Sequence, residues 1–428
     1  SSRAQRRLIA AIESETRRRA LLVAVENARG TAVPIADSLA ELAQLTETAG
    51  DEVVGDVIQH LEQPHPVSYV GKGKLQEIRE LRDTLQYDAV IADDELTPTQ
   101  QRHLEGVLDT EVADRTSVIL HLFAMHARTR EGRLQVELAQ YRYRLPRLTG
   151  RGIELSRLGA GINTRGPGET KLETDRRRIR TRIATLNREL EEVRRQRSLH
   201  RRQRSEAGMP VLALAGYTNA GKSSLMNGLT AAGVLSSREM FATLDPTTRQ
   251  LRLPNDLHVL VTDTVGFIQK LPTDLVAAFR STLEEIQVAD VILHVMDMSH
   301  PLIHEQEAAV EGELAELGVA ARPRLQVLNK ADRVDQNLRA ALTRRWPEAV
   351  VVSALTGEGI PDLRERISRL VTASFIPVRV NIPYARAQDV NLFHTRGMIE
   401  KEDHRSSGTI IVGKLPASLI PRFQEYVY

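Results

Sequence analysis

The chain has 428 residues, of which 41% are hydrophobic and 27% are charged, and this length predicts about three domains with buried cores. It has no cysteine, which excludes disulfide bonds, thiolate metal sites and cysteine nucleophiles and fits a reducing compartment. No apolar run in the sequence approaches the roughly 18 to 20 residues that cross a bilayer. These features predict a multi-domain cytoplasmic protein without a membrane span.

Positive charge is concentrated in one stretch of the chain. Residues 128–204 contain 22 Lys and Arg against 9 Asp and Glu, whereas the remainder contains 36 against 47. The formal net charge of +2 therefore hides a basic segment beside an acidic remainder. Such a segment is attracted to phosphate and favours a nucleic-acid partner. The alternative is a solvated coiled coil with charged outer faces.

The first predicted domain, residues 1–115, alternates short apolar runs with stretches of helical periodicity. The strand-like runs are 20–25, 53–58, 89–92 and 112–113, and the helix-like stretches are 35–49, 75–86 and 97–108. This alternation predicts a small α/β domain. Residues 71–74 open one of its helices with two glycines and two lysines, a pattern more often found at plain surface than at a phosphate site.

The second predicted domain, residues 116–208, has the period of paired helices. Apolar side chains recur at steps of three and four in two runs, Leu134, Leu138, Tyr141, Leu145 and Leu148, then Ile179, Ile183, Leu186, Leu190 and Val193. The stretch 150–168 between them holds six glycines, which are unfavourable in a helix interior. We therefore predict a long antiparallel helical hairpin with a glycine-rich, basic tip at 150–168. Because its arms can pair with each other, we expect a monomer.

Strand-like and helical stretches alternate again in the third predicted domain, residues 209–373. Its strand-like runs are 211–215, 258–263, 291–296, 324–328 and 349–352, which predicts a mostly parallel sheet. The tail, residues 374–428, has strand-like runs at 378–382 and 409–412 and a short helix after Pro416. It predicts a small C-terminal α/β domain. The fold class is therefore α/β with several domains.

A glycine-rich loop follows the first of these strands. Residues 216–223 fit the pattern GxxxxGK[ST] and precede a helical stretch at 224–229. In such a loop, backbone N–H groups and the helix N-terminus face phosphate oxygens, Lys222 reaches the β- and γ-phosphates, and Ser223 binds Mg²⁺. The predicted nucleotide-binding residues are Gly216, Tyr217, Thr218, Asn219, Ala220, Gly221, Lys222, Ser223 and Ser224.

Two more segments predict the rest of the phosphate and magnesium site. The first segment is Asp263, Thr264, Val265 and Gly266. The Asp263 carboxylate can hold the magnesium shell, and the Gly266 N–H can meet the γ-phosphate. In Phe241, Ala242, Thr243, Leu244 and Asp245, we favour Thr243 over Thr247 as the magnesium ligand that also holds the attacking water. We expect Lys222, Thr243 and Gly266 to act in catalysis, and Ser223, Thr243 and Asp263 to hold the metal. The 12 histidines lack ligand spacing, so no metal besides Mg²⁺ is expected.

The base should be selected by Asn329, Lys330, Ala331 and Asp332, which follow the strand at 324–328. A carboxylate at Asp332 can accept from the N1 and N2 donors of guanine, a donor pair that adenine lacks. After the next strand, Ser353, Ala354 and Leu355 supply a backbone amide near guanine O6. In this order after a phosphate-binding loop, these motifs predict a GTPase that binds GTP and GDP.

Two residues of the predicted site bear on its turnover. Phe267 stands where many switch GTPases place a glutamine that orients water, so intrinsic hydrolysis should be slow and the missing group must come from elsewhere. Asn219 is as consistent with a K⁺ ligand beside the β- and γ-phosphates as with a residue that favours a turn.

These motifs closely resemble those of the HflX family of translational GTPases. The resemblance rests on GAGINTRGPGETKLETD at 159–175, FATLDPTTR at 241–249, DTVGF at 263–267 and LPTDLVAAF at 271–279, and it covers about residues 69–376. It implies a protein that binds the large ribosomal subunit, reaches toward the peptidyl-transferase centre with the hairpin tip, and separates stalled or idle ribosomes into subunits. It also implies that ribosomal subunits stimulate hydrolysis, and that Arg151, Arg157, Asn163 and Arg165 contact ribosomal RNA.

Two other functions remain open at this point. The chain could be an RNA-binding or assembly factor of the large subunit that uses hydrolysis as a timer. It could also be an RNA-remodelling ATPase, but a guanine-reading carboxylate at Asp332 counts against an adenine site.

Overall fold

The computed structural model describes residues 17–27, 33–148, 167–206, 208–230, 240–241, 246–270 and 280–427. The chain divides into two compact units. The first unit comprises Ser1–Ala127, Arg133–Asn187 and Gln269–Ala278, and the second comprises Arg128–Gly132, Arg188–Ile268 and Phe279–Tyr428.

The first unit contains a four-stranded parallel sheet in the order β2-β1-β3-β4. The strands are β1 (Arg19–Asn27), β2 (Glu52–Leu61), β3 (Ala89–Ala92) and β4 (Glu111–Asp114). The helices are α1 (Ile35–Thr48), α2 (Lys72–Leu85), α3 (Pro98–Leu108) and α4 (Arg115–His126). All four β3 side chains are buried, which is expected of a central strand covered on both faces. The predicted strands and helices of this region are confirmed.

Two long helices follow, α5 (Arg130–Arg147) and α6 (Pro167–Glu206). The predicted apolar positions Leu134, Leu138 and Leu186 are buried, and Arg182 joins the helices through two 2.8 Å hydrogen bonds to Glu137. The predicted tip lies outside the described residues except at its end. There Pro167 and Gly168 begin α6 instead of belonging to the loop, because proline is well suited to a first helical turn.

The end of α5 next to the predicted tip is fixed to the sheet of the first unit. The Arg147 guanidinium lies 3.4 Å from the centre of the Tyr143 ring and donates to Asp114 at 3.2 Å and to the Leu96 carbonyl at 2.6 Å. The Tyr143 hydroxyl donates to the same carboxylate at 2.8 Å, and Asp114 also caps α4. These shared contacts to one buried carboxylate anchor the end of α5 to the sheet of the first unit.

The second unit contains a six-stranded sheet in the order β10-β9-β8-β5-β7-β6. Its strands are β5 (Val211–Gly216), β6 (Thr247–Arg252), β7 (His258–Asp263), β8 (Val291–Asp297), β9 (Arg324–Asn329) and β10 (Val350–Val351). Its helices are α7 (Lys222–Thr230), α8 (Arg280–Gln287), α9 (Ile303–Glu316), α10 (Gln336–Arg345) and α11 (Ile360–Ala373). The predicted parallel strands are confirmed.

One strand of this sheet, β6, was not among the predicted strand-like runs. It pairs antiparallel with β7 at the edge of the sheet, and Thr247, Thr248 and Gln250 are polar. The pairing is made by the backbone, so an edge strand of this kind leaves no apolar run in the sequence.

The chain continues as β11 (Ile376–Ile382), α12 (Ala387–Arg396), β12 (Met398–Arg405), β13 (Gly408–Leu415) and α13 (Ile420–Phe423). The three strands form an antiparallel sheet in the order β11-β13-β12, covered by an apolar core that includes Val380, Phe393, Ile411 and Phe423. Strands at 378–382 and 409–412 and the final helix were predicted, whereas α12 and β12 were not. Within the described ranges, no helix combines the length and apolar character needed to cross a membrane.

Candidate nucleotide-binding site

The loop between β5 and α7 has a backbone that only glycine fits at two positions. Gly216 has φ +156°, and a Cβ added there would lie 2.2 Å from the Val295 carbonyl oxygen. Gly221 has φ +88°, and its added Cβ would lie 2.4 Å from Asn329 Nδ2. Both glycines of the GxxxxGK[ST] pattern are therefore required by close packing and by conformation. The strand, loop and helix context that the motif needs is present.

Lys222 begins α7 and is buried inside this loop. Its Nζ donates to the carbonyl oxygens of Gly216 at 3.2 Å and Tyr217 at 2.9 Å. Burial lowers the pKa of Lys222 to about 8, against the opposing attraction of Asp263. The loop therefore holds a cation that is costly to bury, which a phosphate would stabilise.

The predicted magnesium ligands Ser223 and Asp263 are in contact. Ser223 Oγ donates to Asp263 Oδ2 at 2.6 Å, and Asp263 is buried at the end of β7. A hydroxyl and a carboxylate beside a phosphate-binding loop are the hard oxygen donors that Mg²⁺ prefers, so these residues fit the ion. The third predicted ligand, Thr243, lies outside the described residues, as do Ala242, Leu244 and Asp245. Thr247, the alternative, begins β6 and is paired in register with Asp263.

The segment after Asp263 lies on the phosphate-binding loop. The Phe267 N–H donates to the Gly216 carbonyl at 3.1 Å, and the Thr218 N–H donates to the Phe267 carbonyl at 2.7 Å. The point that a Cβ of Gly266 would occupy is 2.9 Å from Lys222 Nζ. The backbone of Gly266 is thus adjacent to the loop lysine, as a γ-phosphate contact requires. The Phe267 side chain is buried and cannot hydrogen-bond water.

Asn329 connects the predicted base-binding segments to the phosphate-binding loop. Its Nδ2 donates to the Ala220 carbonyl at 2.9 Å, and its Oδ1 accepts from the Ala354 N–H at 3.0 Å. Asp332 accepts from Ser353 Oγ at 2.5 Å. The structure therefore brings together two motifs that are far apart in sequence, and it gives Asn329 a positioning role that the sequence did not predict.

Lys330 and Leu355 flank this region. Lys330 has φ +64°, and its Nζ donates to Asp297 at 2.6 Å, a partner that sequence reasoning missed. Asp297 ends β8, the neighbour of β9, so the only signal was its place at the carboxyl edge of an adjacent strand. Leu355 is 82% exposed beside Ala354 and offers an apolar surface to a base.

The other candidates of the sequence belong to the first unit or lie outside the described residues. Gly71 precedes α2 and its N–H donates to the Gln59 side chain at 2.7 Å, while Lys74 pairs with Glu77, and these contacts favour the interpretation of this loop as plain surface. No cluster of three or more His, Asp or Glu side chains among the described residues could hold a metal. The predicted RNA-contacting residues Arg151, Arg157, Asn163 and Arg165 lie outside the described residues.

Comparisons with known proteins agree with this geometry. Family models described as GTP-binding GTPase N-terminal, GTP-binding GTPase Middle Region and 50S ribosome-binding GTPase match residues 36–124, 126–204 and 211–330. The GTPase HflX of Lacrimispora saccharolytica is 46% identical over 412 residues, covering 95% of each chain. That of Escherichia coli K12 is 39% identical over 381 residues, covering 87% of this chain and 88% of its own.

Among solved structures, a GTP-binding protein of Sulfolobus solfataricus in complex with GDP is 25% identical. It covers 83% of this chain and 99% of its own, with a TM-score of 0.42.

The fold and the site define a P-loop GTPase, an enzyme that hydrolyses GTP. The chain belongs to the HflX family of these GTPases.

Proposed function

We propose that this GTPase binds the large ribosomal subunit in its GTP-bound form, separates stalled or idle ribosomes into subunits, and leaves after hydrolysis. Ser223, Thr243 and Asp263 would hold Mg²⁺ and Asp332 would read guanine. The helical hairpin would reach ribosomal RNA near the peptidyl-transferase centre with Arg151, Arg157, Asn163 and Arg165. The protein would act as a monomer in the cytoplasm, and the subunit would stimulate hydrolysis by supplying a group that Phe267 lacks.

A basic surface on α6 carries this proposal. Arg177, Arg180, Arg188 and Arg195 are all exposed, and their spacing places them along one side of the helix. Arg177 and Arg180 belong to the first unit and Arg188 and Arg195 to the second, so each unit carries two of these exposed positive charges. Charges arranged in this way are drawn to a nucleic-acid backbone rather than to individual bases.

The anchored end of α5 supports a mechanical role for the hairpin in the proposed function. A flexible arm would bind RNA without transmitting force, whereas Arg147, Tyr143 and Asp114 hold the base of the tip against the sheet of the first unit. A rigid arm inserted into a ribosome can displace what lies in its path. This rigidity supports subunit separation more than simple tethering.

Sedimentation of purified ribosomes tests the proposal. With a non-hydrolysable GTP analogue, we expect the protein to convert 70S particles into 50S and 30S subunits and to co-sediment with the 50S peak, whereas with GDP both effects should be lost. Binding to isolated 50S subunits without separation of 70S particles would instead support the assembly-factor function.

A charge-matched pair of variants shows whether the α6 surface is responsible. The triple variant Arg177→Gln, Arg180→Gln and Arg188→Gln should weaken 50S binding, and its salt slope should fall by about one unit per lost phosphate contact. The control, Arg344→Gln, Arg369→Gln and Arg386→Gln, removes three exposed charges elsewhere and should bind normally. Equal binding by both variants would contradict a role for the α6 surface.

Potassium dependence follows from the open question about Asn219. This residue lies in the phosphate-binding loop with φ +60° and an exposed side chain, so its amide oxygen is accessible to an ion. If K⁺ binds beside the phosphates, intrinsic turnover should be about tenfold faster in K⁺ than in Na⁺ buffer, and Asn219→Ala should abolish the difference. Identical rates in the two buffers would leave Asn219 as a turn residue.

A further inference from the structure

Thr218 carries a hydroxyl group that the protein itself does not use. The residue is 6% exposed, and its Oγ1 is shielded from solvent without a hydrogen bond to any residue that the structure describes. Neighbouring hydroxyls of the site behave differently, since Ser223 donates to Asp263 and Thr264 donates to the Leu214 carbonyl at 2.6 Å. A buried hydroxyl without a partner is unfavourable, so its presence points to a partner on the substrate.

Thr218 lies at the γ-phosphate end of the predicted site. The point that a Cβ of Gly266 would occupy is 2.8 Å from Thr218 Cα, 2.9 Å from Thr218 Cγ2 and 2.9 Å from Lys222 Nζ. Thr218, through its Cα and its methyl group, and Lys222, through its Nζ, therefore both lie beside Gly266, whose N–H is expected to contact the third phosphate. The base-binding side is elsewhere, where Asn329 bonds Ala220.

The backbone of Thr218 is held in place independently of its side chain. Its N–H donates to the Phe267 carbonyl at 2.7 Å, and the Phe267 N–H donates back to the Gly216 carbonyl at 3.1 Å. Thr218 is thus anchored to the residue that replaces the usual glutamine. Changing its side chain need not disturb this pairing.

We propose that the Thr218 hydroxyl is a catalytic group that holds the attacking water against the γ-phosphate, a task that the Phe267 ring cannot perform. Its oxygen accepts a hydrogen bond from the water, and its O–H group donates a hydrogen bond to a γ-phosphate oxygen without losing its proton. The water oxygen bonds to phosphorus while the bond from phosphorus to the β,γ-bridging oxygen breaks and GDP leaves. The water proton passes to a phosphate oxygen, and the threonine is unchanged at the end.

This proposal requires only the GTP hydrolysis of the family, not ribosome separation. It also differs from a packing role, in which the methyl group of Thr218 would simply fill space beside Gly266. Valine keeps the shape of the side chain but lacks the hydroxyl, whereas serine keeps the hydroxyl but lacks the methyl group. The two substitutions therefore separate the two roles.

The test is single-turnover hydrolysis of pre-bound GTP, measured without ribosomes, together with affinities for GDP. We expect Thr218→Val to hydrolyse GTP about 10- to 100-fold more slowly than the parent, and Thr218→Ser to stay within about threefold of it. Affinity for GDP, which lacks the third phosphate, should change by less than about threefold in both variants. Thr343→Val, on the exposed face of α10, is the matched control and should hydrolyse at the parental rate.

Three outcomes would overturn the proposal. Thr218→Val could hydrolyse GTP as fast as the parent, which would show that the hydroxyl is idle. Serine and valine variants could be slowed equally, which would assign the effect to packing. GDP affinity could fall in parallel with the rate, which would mean that the loop is distorted, and thermal melting of each variant with GDP would detect this.

Discussion

Asp332→Asn is expected to lose at least a hundredfold in affinity for GTP and GDP and to gain affinity for xanthosine nucleotides. The carboxylate can accept from two guanine donors at once, and each such charge-assisted bond contributes roughly 1.5 to 3 kcal/mol. Asparagine replaces one acceptor with an NH₂ donor, which opposes the guanine N2 amino group. Xanthine has a carbonyl oxygen at that position, so the variant amide can donate to it.

Fluorescent-nucleotide titration with GDP, XDP and ADP measures this change. Asp335→Asn is the matched control, because it makes the same chemical change three residues away and asparagine can replace aspartate as the cap of α10. The control should keep its preference for guanine. Unchanged GDP affinity in Asp332→Asn, or tight ADP binding by the parent, would mean that the base is read by other residues.

Lys222→Met is expected to abolish nucleotide binding and yet to stabilise the protein prepared without nucleotide. Binding should fall by more than about a hundredfold, because the ammonium group is the principal counter-charge to the phosphates. Stability at neutral pH should rise, but by less than the roughly 3 kcal/mol implied by a pKa lowered by burial from 10.5 to about 8, because methionine removes the donor to the Gly216 and Tyr217 carbonyls. Methionine retains much of the side-chain volume without the charge.

The dependence of stability on pH shows whether burial of the Lys222 charge destabilises the folded protein. Between pH 8 and 10.5, the unfolded chain keeps the Lys222 proton while the folded chain loses it, so the stability of the parent should rise with pH in this window. Lys222→Met should lack that part of the rise. Lys72→Met, an exposed lysine of α2, is the control and should follow the parent. Urea unfolding across the window measures all three proteins, and parallel profiles for the parent and Lys222→Met would refute the prediction.

The parts of the fold that the sequence predicted are those stabilised by burial. The central strands β5, β8 and β9 appear as apolar runs because both faces are covered, and the phosphate-binding loop appears because its glycines have no substitute. The strands β6 and β12 were missed because they are polar edge strands that are held by backbone pairing. Sequence patterns record side-chain burial, not hydrogen bonding between main chains.

The residues of the candidate nucleotide-binding site also divide into those that the sequence predicted and those that it did not. The motif residues were predictable because each is expected to touch phosphate, metal or base, and such residues recur at characteristic spacings. Asp297 and the cross-linking role of Asn329 were not, because their partners are side chains or carbonyls brought close only by the fold. Arg115 is a comparable miss in the first unit. Arg115 is buried and forms ion pairs with Asp93 and Glu41. Nothing in the sequence indicates that this charged residue will be buried.

The two main-chain bonds between Phe267 and the loop at Gly216 and Thr218 set a modest energetic threshold for switching. Exchanging the two bonds for bonds to water costs roughly 1 to 3 kcal/mol net, and exposing the buried Phe267 ring adds roughly 1.5 to 3 kcal/mol. A ribosomal contact that prefers the released arrangement by a similar amount could therefore bring the two populations near parity. In the proposed function, these two main-chain bonds would be weak enough for the ribosome to break and strong enough to persist without it.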